Sequence, residues 1–139
     1  MAFERVYTIW DYWDHPRSGL ASYAGQPHHY QCEWDEAADD YADTYVLTPI
    51  DQETFSIAME QWLIWQQWQT AFHRGEVEWL THPALPGSNL QNLEMQHRIQ
   101  TGIALQSALR ERKHAEFRVR SGQESLPVGV IRELEVEWR

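Results

Sequence analysis

Residues 10–30, WDYWDHPRSGLASYAGQPHHY, gather the residue types that most readily do chemistry: five aromatics, three histidines, Asp11, Asp14 and Arg17. Asp and His side chains within reach of one another can trade protons, so Asp11, Asp14, His15 and His28 are the candidate catalytic groups of a small hydrolase-type enzyme. The same types could ligate a metal, with Asp11, Asp14 and His15 joined by His28 or His29. That idea meets an obstacle in the sequence. His28 and His29 are adjacent in a strand pattern, and successive strand side chains point to opposite faces, so they do not chelate together. The helical pairs at i and i+3 or i+4 that hold metals are missing from the seven histidines, and the sequence points to no metal and no cofactor. The acidic stretch DEAADDYAD lacks the alternating ligands and the glycine of a calcium loop, and reads as a solvated connector.

Stacking is the stronger chemistry. Trp10, Tyr12, Trp13, Tyr23, Tyr30, Trp34, Tyr41 and Tyr45 exceed what one small sheet needs to bury. Interleaved with acids, they could form a groove for an arginine- or lysine-bearing peptide through stacking and cation–π contacts. The binding candidates are Trp10, Tyr12, Trp13, Arg17, Trp34 and Tyr41; the plainer account of all eight aromatics is that most are core and the rest cover sheet edges. Cys32 alternates with Tyr30 and Trp34 and reads as a core thiol rather than a nucleophile. No phosphate-binding glycine loop and no nucleophile elbow occurs.

Charge supports a cationic partner. The net charge is −10, and residues 1–60 carry twelve acids against Arg5 and Arg17, which is the whole imbalance. Such a surface repels phosphate backbones and anionic membranes, so neither nucleic acid nor a membrane surface is an expected partner. A cationic protein or a small-molecule ligand is. The single cysteine excludes an internal disulfide framework. The start lacks the pattern of a secretory signal, and no apolar run reaches the length of a membrane span, so a cytoplasmic protein is expected.

Elements must position these groups. At 139 residues, with 42% hydrophobic and 23% charged residues, a single α+β domain over 1–139 is expected. RVYTIWDYW, LASY, HHYQCEWD and TYVLTPI read as four meandering strands, with HPRSG and AGQP as turns and EAADDYAD as a connector. Asp51 is placed to cap a helix running to Gly75, with Phe55, Ala58, Met59, Trp62, Trp65 and Phe72 on one side. Trp68, at the fringe of that arc, is the interface candidate for a homo-oligomer. THPALPGS is a loop, with Ser88 or Asn89 capping a second helix, LQNLEMQHRIQTGIALQSALRERK, whose face is Met95, Ile99, Gly102, Leu105 and Leu109. Arg110, Arg112 and Lys113 would complement its dipole. AEFRVR and VGVIRELEVEWR close the chain as strands around SGQESLP. Val130, Leu134, Val136 and Trp138 are expected inward, with Glu133, Glu135 and Glu137 outward.

The fold expectation is an antiparallel sheet of about five or six strands packed on two helices, in the order ββββ-α-α-ββ and curled around the tryptophan-rich helix. A partly closed barrel in the N-terminal half is the variant considered. The functional expectation is a small binding or regulatory module with an acidic, aromatic N-terminal face. The hydrolase and the homo-oligomer stand as alternatives.

Overall fold

Alternating apolar residues with a turn at each end drive most of the chain into hairpins. The computed structural model describes residues 2–78, 90–120 and 133–139. Six strands are present: β1 (Glu4–Trp13), β2 (His15–Tyr23), β3 (Gln26–Asp35), β4 (Asp40–Pro49), β5 (Glu111–Val119) and β6 (Leu134–Trp138). Helices α1 (Gln52–His73) and α2 (Leu90–Leu105) come between β4 and β5, and a 3-10 turn at Ser107–Leu109 precedes β5. The class is α+β. Contacts divide the chain into two compact units: residues 1–49 with 106–139, and residues 50–105.

The first unit is a closed antiparallel barrel in the order β1-β2-β3-β4-β5-β6, with β6 pairing back onto β1 through Glu4↔Val136 and Arg5↔Glu135. The expected sheet packed on two helices is therefore corrected. The sheet packs on itself, because its own aromatic residues are bulky enough to fill it. Tyr30, Tyr45, Phe117 and Trp138 form a quartet in which every pair of rings has centroids 5.7–6.2 Å apart. Val6, Ala21, Cys32, Leu47 and Val136 complete this cluster. Each polar handle of the quartet is satisfied: the Tyr30 hydroxyl donates to the Thr8 carbonyl at 2.9 Å, Tyr45 to Pro16 at 2.7 Å, and Trp138 Nε1 to Ser22 at 3.0 Å. An aromatic body with a bonded polar tip is what a narrow barrel can bury at little cost.

The predicted first turn, HPRSG, lies in β2 instead. The bend is made by Asp14 alone, at φ 64°, between the paired residues Trp13 and His15. Gly19 serves a different end: a Cβ there would lie 2.2 Å from the Thr8 carbonyl oxygen and 2.8 Å from the Tyr30 hydroxyl. Its missing side chain is what lets that hydroxyl reach Thr8. The second turn is the expected one, Ala24 and Gly25 at φ 53° and 78°, a two-residue hairpin of the type that matches strand twist. The Glu4 carboxylate ties it down, accepting from Ser22 Oγ and from the Ala24 and Gly25 N–H groups. Part of the acidic connector is strand, since β4 begins at Asp40, and only residues 36–39 turn.

In the second unit, Asp51 caps α1 as expected, its Oδ1 accepting from Thr54 N at 2.8 Å; that bond holds its carboxyl below the usual value. Gly75 closes the helix at φ 73°. The buried side of α1 differs from the expected tryptophan face: Thr54, Ala58 and Gln61 are buried, while Leu63 and Phe72 are exposed. The reason lies in the partner helix. Asn92 of α2 accepts from Gln61 Nε2 at 3.1 Å and from Trp65 Nε1 at 2.9 Å, and Gln96 accepts from Gln61 at 3.1 Å. Gly102 packs on Thr54 so closely that a Cβ would fall 2.1 Å from the threonine hydroxyl. A polar, close-approach seam thus replaces an apolar stripe. On α2, Met95, Ile99 and Gly102 are buried as expected, but Leu105 and Leu109 are exposed because the helix ends at Leu105. Arg112 and Lys113 lie in β5 rather than at a helix end. The loop THPALPGS, the cap at Ser88 or Asn89, the turn SGQESLP and Val130 lie outside the described residues.

Candidate acidic, aromatic cleft at the barrel end

The β1–β2 and β3–β4 turns lie at the same end of the barrel and bring together most of the residues singled out from the sequence. Their backbone is irregular. The β1–β2 register shifts between Val6 and Thr8, between Ile9 and Asp11, and between Asp11 and Tyr12, and β3–β4 shifts between Cys32 and Trp34. Each shift breaks the alternation of faces and re-aims the side chains beyond it. This explains Trp34. It shares the parity of buried Tyr30 and Cys32, yet it is 52% exposed past the bulge. Tyr12 and Trp13, at the tip of β1, are 60% and 64% exposed. Trp34 packs edge-on against Tyr41 at 5.2 Å, and the Tyr41 hydroxyl donates to Asp11 Oδ2 at 3.4 Å.

Arg17 lies at the centre of this end. It is buried, and its guanidinium stands 4.3 Å above the Tyr41 ring. Its Nε donates to the Trp13 carbonyl at 2.8 Å and its Nη1 to Cys32 Sγ at 3.4 Å, while the thiol donates to the Ala42 carbonyl at 3.4 Å. Cys32 is thus a buried core thiol that also orients the arginine. A cleft of about 610 Å³ opens beside Arg17. Asp14, His15, Asp40, Tyr41, Ala42, Asp43 and Tyr45 form one wall, and His114, Ala115, Glu116 and Phe117 of β5 form the other. Burial raises the Tyr45 phenol well above its usual value, with the Cys32 thiol adding to the effect. Burial and the Asp11 carboxylate raise Tyr41, against an opposing pull from Arg17. Both phenols are therefore neutral donors at physiological pH.

The electrostatics are one-sided. Asp11, Asp14, Asp35, Glu36, Asp39, Asp40 and Asp43 are all exposed at this end, and among the described residues none of these carboxylates forms an ion pair. Some serve the backbone, as Asp35 does in accepting from the Ala37 and Ala38 N–H groups.

The other sequence candidates are dispersed. Trp10 stacks on His29 at 5.6 Å. His28 lies near the Ala24–Gly25 turn, at the other end of β3, where its Nδ1 meets the Gln26 carbonyl at 2.9 Å and its ring packs on Tyr23. The catalytic grouping of Asp11, Asp14, His15 and His28 therefore does not form, because the antiparallel register puts His28 and His15 at opposite ends. Among the described residues, no group of three or more His, Cys, Asp or Glu is placed to hold a metal ion. Of the eight aromatics proposed for a groove, Tyr30 and Tyr45 are core residues. Trp68 stacks on Phe72 at 5.1 Å within α1.

Sequence reasoning missed the β5 wall, His114, Glu116 and Phe117, because residues 111–113 were read as the end of a helix. The signal was there: Lys113, Ala115, Phe117 and Val119 alternate with polar residues along a full strand. Among the described residues, no helix is long and apolar enough to cross a membrane. Comparison of the chain with protein-family models, with curated proteins and with solved structures gave no match.

Proposed function

We propose that this chain is a cytoplasmic binding module whose acidic, aromatic barrel end engages a cationic partner, namely a peptide segment rich in lysine or arginine. One observation carries the reading: seven exposed carboxylates without an ion-pair partner among the described residues surround Tyr12, Trp13 and Trp34, all more than half exposed. Large exposed aromatics clustered on one patch favour interaction, and a field of one sign selects the charge of what arrives. Arginine side chains would stack on the indoles while their charge faces the aspartates.

Intrinsic tryptophan fluorescence tests this directly. Titration with hexa-arginine should change the emission saturably, with affinity falling as salt rises, and Trp13→Ala should weaken binding several-fold. Equal binding of hexaglutamate, or no response to hexa-arginine, would remove the reading.

A further inference from the structure

The acids of the cleft explain an attraction to cations, but they leave Arg17 unaccounted for. A guanidinium is rarely buried without a carboxylate, since removing a charge from water costs several kcal/mol unless it is paired. Arg17 is only 9% exposed and forms no ion pair among the described residues. Its Nε and Nη1 donate to Trp13 and Cys32, its side chain also hydrogen-bonds Tyr45, and its planar face lies over the Tyr41 ring. These bonds engage three of the five N–H donors of a guanidinium, and Arg17 lines the cleft. A buried cation with N–H donors to spare thus lines a cavity whose rim carries the opposite charge.

We propose that the cleft takes the C-terminal carboxylate of a basic peptide, with Arg17 donating to that carboxylate and Asp14, Asp40 and Asp43 facing the cationic side chains just before it. The inference rests on the basic-ligand reading above and adds the part of the ligand that is recognised. Three features select this chemistry. A planar carboxylate matches the planar guanidinium edge and forms strong charge-assisted hydrogen bonds. A phosphate dianion would suffer about twice the repulsion from the aspartate rim that a single carboxylate suffers. A cleft of about 610 Å³ has room for the last residues of a chain, and capture of a terminal carboxylate is a recurring way of recognising a peptide end.

The experiment compares hexa-arginine bearing a free terminal carboxylate with its C-terminal amide, by calorimetry on the full chain. The acid should bind about tenfold tighter, a typical value for one charge-assisted interaction. In Arg17→Lys, which keeps the charge but loses the fork, the ratio should fall below about threefold. Because Arg17 also braces Trp13 and Cys32, that variant could lose its fold; the acid-to-amide ratio in the unmodified chain stands without it. Equal affinity for acid and amide overturns the carboxylate assignment and leaves the basic-ligand reading standing. Displacement of the peptide acid by inorganic phosphate but not by acetate overturns the choice of carboxylate over phosphate. Failure of both peptides to bind overturns the reading itself, and this inference with it.

Discussion

Two hairpins of the same barrel use their charges in opposite ways. In β5–β6 the register runs without a shift from Ala115↔Trp138 to Val119↔Leu134. Its inward residues fill the core, and its outward glutamates are spent on neighbours. Glu135 pairs with Arg118 at 2.9 Å, Glu137 with Arg139 at 3.0 Å, and Glu133 and Glu116 pair with Arg120 and Arg139. In β1–β2 the register shifts three times, the tip aromatics face solvent, and Asp11 and Asp14 have no cationic partner among the described residues. A regular ladder lets cross-strand charges meet, whereas bulges separate them. The first hairpin is organised for stability. The second leaves its charge and its aromatic surface available to something else.

The sharpest test of that division removes a quartet ring. Trp138→Ala should cost about 4 kcal/mol in urea unfolding, because it opens a cavity among Tyr30, Tyr45 and Phe117. A cost below ~1 kcal/mol would mean that β5–β6 does not carry the core.

The pH dependence of stability comes from the β1–β3 side. Burial lowers the His29 pKa from 6.5 to about 4 beside Trp10. The fold therefore favours neutral His29, and between pH 6.5 and 4 the unfolded chain binds more protons. Stability from this group is full above pH 6.5, declines through that window and is lost below it, by at most about 3 kcal/mol. Urea midpoints measured across pH 4–7 should show the decline, and His29→Gln should flatten it.

The smallest effect has opposite signs in the two hairpins. Glu135→Gln strands Arg118 and should lower stability by under ~1 kcal/mol. Asp14→Asn relieves repulsion and should raise the urea midpoint slightly, since Asn tolerates the positive φ at position 14. The same variant should weaken hexa-arginine binding. A loss of stability in both hairpins would erase the contrast.

Much of the fold was legible because it rests on local patterns. Alternation in residues 134–138 placed Val136 and Trp138 inward and the glutamates outward. Asp51 and Gly75 marked the ends of α1 through capping chemistry, and Gly25 marked a hairpin through its positive φ. The site was legible in part: Asp14, His15, Arg17 and Tyr41 do line one cleft. What escaped depended on contacts distant in sequence. Trp34 faces out because of a bulge set by pairing with β4, and Gly19 is needed because Tyr30 and Thr8 meet there. His114 and Phe117 line the same cleft as Asp14 because the sheet closes.

The sequence by itself determined the α+β class, the concentration of acid and aromatic residues in the first sixty positions, and the hairpin periodicity, all of which follow from residue type and spacing. Tertiary structure alone decided that the sheet closes around four rings rather than around a helix, that His28 and His15 part company, and that Arg17 is buried without a carboxylate partner among the described residues. Those outcomes depend on register and closure. A shift of one residue in register turns every side chain beyond it to the other face, and no local pattern records that shift.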